Sequence, residues 1–401
     1  MKFSSDNDKT CELAGSAIVT VRANSVSTIP EHEVAQAVLH AFAHPQDYPE
    51  LASATVPGDT IVVAIDHATP QIPHVIEGTL AALKHAGVER SAITLLLSSD
   101  CAGDQPGQKL LREIAGAEIA IIVHAADDEE HLALLGVNAA GLPLRLNRVL
   151  CDADLVIPIG PTKGIELDRH PWGMLFPQYS DQETLSRFHA PSSQETSASR
   201  KKLAGEIREC DWMLGLGLAL QVIPGPRGTI AALCCGTPGG TAATAQTQYR
   251  EVWSAAVSQR ADLVVATIVG NDAQQTWQNL SRALASADEL LEPGGAIAIC
   301  SEIAMRPGPS GKRLRNAQDL ADVERKILKD AFADSTAALR ICRHLQRGTI
   351  YLKSLLDSAV VESLGFAPIE SEQELARLAS SYGRCIVLEE AQHLVPKLGG
   401  A

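Results

Sequence analysis

The sequence predicts an α/β protein with two domains, mainly parallel sheets and a cleft between the domains. Three observations predict this class. Short apolar runs alternate with segments of helical periodicity, and this alternation starts afresh near residue 260. The length of 401 residues also exceeds what one hydrophobic core usually organises. We therefore assign residues 1–258 to the first domain and residues 262–401 to the second.

The first domain begins with a strand followed by a helix. Residues 60–65 form an apolar run, and apolar side chains then recur at helical spacing over residues 72–83. Gly87 ends this helix where a left-handed cap is needed, and residues 92–97 form the next strand. The polar segment 192–202 has no apolar period and predicts a surface loop. Further strands are predicted at residues 118–123, 153–159 and 229–234.

The second domain repeats the pattern. Residues 263–269 predict a strand and residues 276–291 a helix. A second strand at residues 296–300 follows the turn Pro293-Gly294-Gly295, and a last strand is predicted at residues 385–388. This order again favours a parallel sheet.

Composition excludes several classes of function. The formal net charge of −14 and the aromatic fraction of 4% argue against nucleic-acid binding, which needs clustered cations and stacking rings. No stretch approaches the ~18 uncharged apolar residues of a membrane span, and residues 1–30 lack the pattern of a secretory leader. Nine cysteines without CxxC spacing indicate reduced thiols. We expect a cytoplasmic protein with neither nucleic-acid nor membrane partners.

Residues that directly follow predicted strands are the first candidates for a site, because ligands bind beyond the carboxyl ends of parallel strands. Asp66, His67 and Thr69 follow the first strand. A structural role is the alternative, in which Asp66 or Thr69 caps the next helix and Pro70 lies in its first turn. The residues alone do not decide between a ligand-binding role and a capping role.

Two further strand ends carry reactive side chains. Asp100 and Cys101 end the second strand, although both residue types are ordinary in loops and the thiol has no visible partner base. Lys163 could present its ammonium to an anionic ligand, with a solvated loop lysine as the alternative. Its surroundings do not form a phosphate loop, and no G-x-G-x-x-G motif supports dinucleotide binding.

Two histidines, His170 and His189, flank residues 171–177, whose aromatic and proline content indicates a buried pocket wall. An isolated histidine is usually structural, and metal ligation is the alternative.

The order of several short motifs resembles that of the lactate racemase family of nickel-pincer enzymes. The segment Glu183-Thr184-Leu185, which leads to His189, resembles the one that supplies the nickel-binding histidine. In the second domain, similar motifs lie at residues 261–264, 292–297 and 361–368. In the first domain, the matching motifs are Pro57-Gly58-Asp59, Asp66 with Pro70, His85-Ala86-Gly87-Val88, Leu134-Leu135-Gly136-Val137, Gly141-Leu142-Pro143-Leu144, Asn147-Arg148 and residues 153–157.

The resemblance implies racemisation of 2-hydroxy acids by hydride transfer through a nickel-pincer nucleotide that is tethered to a lysine. In this family two histidines act as proton bases, a third ligates nickel, and an arginine and a Gln/Lys pair contact the substrate side. Carried to this sequence, His189 takes the nickel position, Asp66 the strand-end carboxylate, and Asn279 and Arg282 the positions of the Gln/Lys pair. Neutral imidazole suits nickel, and a base of near-neutral pKa suits proton abstraction.

Several reactive positions differ from the family pattern. Thr69 stands where the arginine is expected, and Ala102 stands at the first catalytic histidine. The segment 163–173 is shorter than in the family, and Gly173 lies nearest to the position of the tether lysine. The resulting candidates are Asp100, Lys163 and His170 for catalysis, Asp66, His67, Thr69, Asn279 and Arg282 for cofactor binding, and His189 for the metal.

Two functions are consistent with this pattern. The first is a divergent nickel-pincer-dependent racemase or epimerase of a 2-hydroxy acid or a related small anion. The second is a non-catalytic or non-nickel member whose cleft binds a small ligand. Because Ala102 cannot serve as a base, we do not expect lactate racemisation at the family's rate. The sequence does not indicate the oligomeric state. We expect the cleft to be lined by Asp66, Thr69, Asp100, His189, Asn279 and Arg282.

Overall fold

A computed structural model describes residues 18–100, 104–164 and 173–399. The strands are β1 (Ile18–Val21), β2 (Ile61–Ile65), β3 (Ile93–Leu97), β4 (Ala120–Val123), β5 (Leu132–Val137), β6 (Pro143–Asn147), β7 (Leu155–Pro161), β8 (Ala219–Pro224), β9 (Ile230–Gly236), β10 (Ser254–Val257), β11 (Ala261–Thr267), β12 (Leu291–Cys300), β13 (Ile350–Lys353), β14 (Ala367–Pro368), β15 (Cys385–Leu388) and β16 (Val395–Leu398). The helices are α1 (Val34–Ala43), α2 (Leu51–Ala54), α3 (Ile72–His85), α4 (Gln105–Ala115), α5 (Arg148–Asp152), α6 (Gln182–His189), α7 (Ser197–Met213), α8 (Pro238–Trp253), α9 (Trp277–Asp288), α10 (Leu320–Ile327), α11 (Ser335–Leu345), α12 (Ser358–Ser363) and α13 (Glu372–Ser380).

The predicted fold class, a two-domain α/β protein with mainly parallel sheets, is confirmed. One six-stranded sheet has the order β4-β3-β2-β7-β8-β9, in which only β9 runs antiparallel to its neighbour. A second six-stranded sheet has the order β1-β15-β11-β12-β13-β14 and is parallel throughout.

Both faces of the first sheet are covered by helices. All five residues of β2 are buried. Ile61, Val63 and Ile65 belong to the core that includes α1 and α3, whereas Val62 and Ala64 belong to the core that includes α6 and α7. Burial on both faces explains why β2 is an unbroken apolar run rather than an alternating one.

Helices α1 and α3 pack at very short range where α3 carries a glycine. A Cβ atom on Gly78 would lie 2.4 Å from the carbonyl oxygen of Ala35 and 2.7 Å from the Cβ of Val38. The missing side chain is therefore what allows α1 to lie directly on α3. Another predicted glycine role is confirmed at Gly87, which ends α3 with φ +80°.

The prediction of a surface loop over residues 192–202 was wrong. Helix α7 begins inside that segment at Ser197, and the Thr196 hydroxyl accepts a hydrogen bond from the backbone N–H of Ser199. The apolar residues that anchor this helix, Leu203, Ile207 and Cys210, lie beyond the polar segment. A window restricted to residues 192–202 therefore contains the start of the helix but not its buried face.

The two ends of the chain cross between the predicted domains. Strand β1 pairs with β15 in the second sheet, although it lies within residues 1–258. Strand β10 pairs with β16 near the carboxyl end. The boundaries 1–258 and 262–401 remain a prediction, to which the structure adds that residues 18–21 belong to the second sheet.

Helix α8 joins the two sheets. The hydroxyl of Tyr249 donates to the carbonyl oxygen of His393 at 2.8 Å, and the rings of Trp253 and His393 lie 4.8 Å apart. On the first-domain side, the Gln246 amide donates to the carbonyl oxygen of Lys163 at 2.9 Å. The strand-end loop that carries Lys163 is thus held by the same helix that contacts the second domain. In the described ranges, no helix has the length and apolar composition needed to cross a bilayer.

Candidate functional site between the domains

The turn after β2 is closed by its own polar groups. The Asp66 carboxylate accepts a hydrogen bond from the N–H of Ala68 at 2.9 Å, and the Thr69 hydroxyl donates to the carbonyl oxygen of Asp66 at 2.7 Å. Helix α3 begins only at Ile72, and Gln71 precedes it with φ +51°. The structural alternative of Asp66 or Thr69 as the cap of this helix, with Pro70 in its first turn, was therefore wrong.

Asp66 lies at the carboxyl ends of three adjacent parallel strands. Ile65 is in register with Leu97 of β3 and with Ile159 of β7, and the Asp66 N–H donates to the carbonyl oxygen of Ile159 at 3.0 Å. The residues that follow these strands therefore meet at one edge of the sheet, as strand-end placement predicts.

Lys163 reaches back from the end of β7 to Asp66. Its Nζ lies 3.0 Å from Oδ2 of Asp66, and the two side chains are 34% and 11% exposed. Burial alone would raise the pKa of Asp66, but the charge of Lys163, the Ala68 N–H and the charge of Arg282 outweigh it. The pKa of Asp66 therefore lies below its ordinary value, and the carboxylate is ionised.

Asp100 and His67 complete the group of charges around Asp66. Asp100 is exposed, yet its pKa is raised, first by loss of hydration and then by the charge of Asp66, while His67 and Lys163 act in the opposite direction. The N–H of His67 donates to the hydroxyl of Ser98 at 3.1 Å, and its Nδ1 lies 3.9 Å from a carboxylate oxygen of Asp104. These interactions fix His67 between strand ends.

The second domain contributes Arg282 from helix α9. Its guanidinium donates to Oδ1 of Asn279 at 2.8 Å, and its charge lowers the pKa values of Asp66 and His393. The Asn279 amide donates to the carbonyl oxygen of Gln274 at 2.8 Å, and the residue is buried. Asn279 therefore orients Arg282. Of the predicted pair, Arg282 is the residue whose charge lowers the pKa of Asp66.

His189 ends helix α6, on the other face of the first sheet from α3. The helix is capped by Asp181, which accepts from the N–H of Thr184 at 2.8 Å, and it is anchored by the buried ring of Phe188. Burial lowers the pKa of His189 to about 4, so its imidazole is neutral at pH 7. Its role as a metal ligand remains a prediction. Within the described ranges, no group of three or more His, Cys, Asp or Glu residues could hold a metal ion.

Some predicted positions lie outside the described residues, namely His170, Cys101 and Ala102. At the position nearest the family's tether lysine, a Cβ on Gly173 would lie 2.7 Å from Cγ2 of Ile207 and 2.7 Å from the carbonyl oxygen of Phe176. Leu175 and Phe176 are fully buried in the core under α7. This part of the predicted pocket wall is therefore closely packed core, with no room for a side chain at residue 173.

A cavity of about 320 Å³ lies beside the Asp66 turn. Its apolar wall includes Leu97, Leu110 and Leu111. Its polar wall is formed by His67, Thr69, Gln71, Asp104, Gln108 and, from the second domain, Asn271.

Four residues of this region were missed by the sequence reasoning. Gln71, Asp104 and Gln108 line the cavity from helix starts, for which the sequence offered no signal beyond ordinary polar composition. His393 lies close to Arg282, and burial followed by that charge lowers its pKa to about 3. It stands five residues after β15, so the strand-end rule could have indicated it.

Comparisons with known proteins concern the fold of the chain. Residues 5–164 match the family model described as the lactate racemase N-terminal domain. The lactate racemase apoprotein from Thermoanaerobacterium thermosaccharolyticum is 16% identical, aligns over 95% of each chain and gives a TM-score of 0.72. A crystal structure of a protein from Thermotoga maritima is 11% identical, aligns over 94% of this chain and 100% of the other, and gives a TM-score of 0.67. No curated protein sequence matches. At these identities the structural likeness shows a shared fold.

Proposed function

We propose that the interdomain cleft of this chain, whose residues 5–164 match the lactate racemase N-terminal domain, binds a 2-hydroxy carboxylate or a related small anion. The proposal concerns a cleft that works without a lysine-tethered pincer nucleotide. It retains the substrate class implied by the resemblance and differs in the cofactor.

One observation carries this proposal: cations from both domains act on the same carboxylate. Lys163 is paired with Asp66 from the first domain, and the charge of Arg282 reaches Asp66 from the second. Lys163 remains one-third exposed, so its ammonium can also face a ligand. Two cations around one carboxylate supply positive charge for a second, bound carboxylate. Such charge complementarity also speeds the approach of a small anion.

Among the described residues, only His189 has the chemistry expected of a residue that binds the pincer nucleotide. His189 is neutral at pH 7, which suits a nickel ligand. The tether does not fit, because Gly173 has no space for a side chain and the Lys163 ammonium is held by Asp66. We therefore derive no reaction step through this group.

The first test is binding of L-lactate, measured by isothermal titration calorimetry on the full chain. Lys163→Met and Arg282→Met should each weaken binding at least tenfold, since each removes a cation next to the bound carboxylate. Lys109→Met is the matched control, because the Lys109 side chain is 79% exposed on α4. Unchanged affinity in both cleft variants would contradict the proposal.

A nickel-dependent racemase is the second candidate, favoured by the neutral imidazole of His189. The test is the intact mass and nickel content of protein made together with the family's cofactor-synthesis proteins. The first proposal expects no mass increase. A nucleotide-sized increase together with bound nickel that is lost in His189→Ala would support the second candidate instead.

A further inference from the structure

We infer that the carboxyl end of α1 carries a metal site, in which His40 and His44 together bind one late first-row divalent ion such as Cu²⁺, Ni²⁺ or Zn²⁺. The site consists of residues of α1 and its C-cap alone, so it does not depend on the proposed function. Three features support it: the spacing of the two histidines, the distance between their rings and the lack of a competing partner.

The two histidines lie on the exposed side of an anchored helix. Val34, Val38 and Phe42 are the buried residues of α1, whereas His40 and His44 are both exposed. Residues four positions apart on a helix are neighbours, with Cβ atoms about 5–6 Å apart. The same spacing presents the two zinc-binding histidines of the H-E-x-x-H motif. The chain therefore presents two imidazoles side by side to solvent.

The backbone of His44 is fixed although this residue follows the last residue of α1. Its N–H donates to the carbonyl oxygen of Ala41 at 3.3 Å, and Pro45 disfavours a helical backbone at His44. The N–H of Gln46 donates to the carbonyl oxygen of Cys235 in β9 at 2.8 Å. His44 is thus held between α1 and the first sheet, so a metal ion does not have to order a loose segment.

The distance between the rings agrees with ligation of a single ion. Their centroids lie 4.6 Å apart, and the ring planes are tilted by 60°. With a metal–nitrogen bond of about 2.0–2.1 Å and a ring centre about 1.1 Å beyond the nitrogen, two rings on one ion at about 90–109° have centroids roughly 4.5–5.2 Å apart. The rings of His40 and His44 therefore already have the separation that a shared octahedral or tetrahedral ion requires.

The ring nitrogens of this pair are available to a ligand. Neither imidazole has a hydrogen bond or an ion pair with any of the described residues, whereas His74 and His131 are paired with carboxylates. The carbonyl groups at the carboxyl end of a helix carry partial negative charge, which favours a cation. Imidazole suits late first-row ions, whereas Mg²⁺ prefers oxygen ligands. The site should therefore bind Ni²⁺ and leave Mg²⁺ in solution.

The test is isothermal titration calorimetry with NiCl₂ on the tag-free full chain, made without the cofactor-synthesis proteins. We expect one Ni²⁺ per chain at this site and no binding of MgCl₂. His40→Asn and His44→Asn should each weaken Ni²⁺ binding at least about tenfold, because the second imidazole of a chelating pair acts at a high effective concentration. The double variant should add little to the loss in either single variant, since the two residues act as one unit.

Two further variants locate the ion. His85→Asn is the matched control, because His85 is an exposed histidine at the carboxyl end of α3 whose Nδ1 lies 3.1 Å from the carbonyl oxygen of Ala81. It should leave Ni²⁺ affinity unchanged. Binding at α1 should also persist in His189→Ala, where nickel held in the cleft would be lost.

Three results would overturn the inference. The first is unchanged Ni²⁺ affinity in both His40→Asn and His44→Asn. The second is two Ni²⁺ per chain with one lost for each substitution, which would mean two separate histidines rather than a shared ion. The third is absence of binding at millimolar Ni²⁺, or binding that disappears in His189→Ala. None of these results bears on the binding of lactate in the cleft.

Discussion

The Asp66 carboxylate is buried and yet ionised, because Lys163 and Arg282 offset its loss of hydration. Asp100 lies in the same group of charges, and its pKa is shifted upward. The pKa values of two carboxyl groups at one strand edge are therefore shifted in opposite directions. Such separation of pKa values is characteristic of sites that bind anions or move protons.

Replacing Asp100 by Asn should remove a pH dependence of lactate affinity. Protonation of Asp100 removes a negative charge beside the cleft, so in the native chain affinity should rise as the pH falls towards the raised pKa of Asp100. Asp100→Asn should bind more tightly at pH 7 and show a flatter profile by calorimetry. A slope that persists unchanged in Asp100→Asn would contradict this assignment.

At the level of single elements, close packing constrains α3 more than helix propensity does. Gly78→Ala would gain up to ~1 kcal/mol in helix propensity. The added Cβ would nevertheless lie 2.4 Å from the Ala35 carbonyl oxygen, which forces α1 away from α3. We expect a net loss of about 1–3 kcal/mol in the free energy of unfolding, measured by urea denaturation.

Gly205→Ala in α7 is the matched control for this change. The nearest atom to its added Cβ is the Nη2 of Arg208 at 3.9 Å, so only the propensity gain should remain. We expect stabilisation by up to ~1 kcal/mol. Equal effects of the two substitutions would show that the α1–α3 contact tolerates a methyl group.

For the whole molecule, β1 connects the amino-terminal part of the chain to the second sheet. Val21 is buried in the core that also contains Val264 and Leu388. Deletion of residues 1–22 should therefore expose β15 as the edge of that sheet. Hydrogen exchange should accelerate in β15 and remain slow in β2. Equal protection of β15 in the truncated and full chains would contradict this role of β1.

Glu390 makes an interdomain contact whose strength depends on pH. Its carboxylate accepts a hydrogen bond from the N–H of Arg227 at 2.9 Å, and burial raises its pKa from 4.5 to about 7. Because the folded-state pKa is the higher one, the stabilising effect of the protonated form is present below about pH 4.5 and is lost as the pH rises through 7.

Glu390→Gln should therefore stabilise the protein at pH 8 by at most about 3 kcal/mol and have a smaller effect at pH 5. Urea denaturation at both pH values measures the difference. Glu362→Gln, at an exposed position on α12, provides the control for loss of one carboxylate. A pH-independent effect of Glu390→Gln would mean that this carboxyl does not titrate between these pH values.

Local periodicity was sufficient to predict the α/β class, the unit β2–α3–β3 and the strand β15. A helix buried on one face and a strand buried on both faces each produce a pattern of apolar residues that is visible within a short stretch of sequence. The same rule placed Asp66, Asp100 and Lys163 at strand ends, and the order of short motifs indicated the lactate racemase resemblance. The start of α7 escaped prediction, because its buried residues lie beyond its polar first turns.

Contacts between distant residues were decided only by the tertiary structure. The Asp66–Lys163 pair joins residues 97 positions apart, and the effect of Arg282 on Asp66 crosses between the domains. The cavity likewise needs Asn271 beside His67. Hydration and charge at these positions depend on which atoms the fold brings together. Composition and spacing along the chain do not specify these contacts.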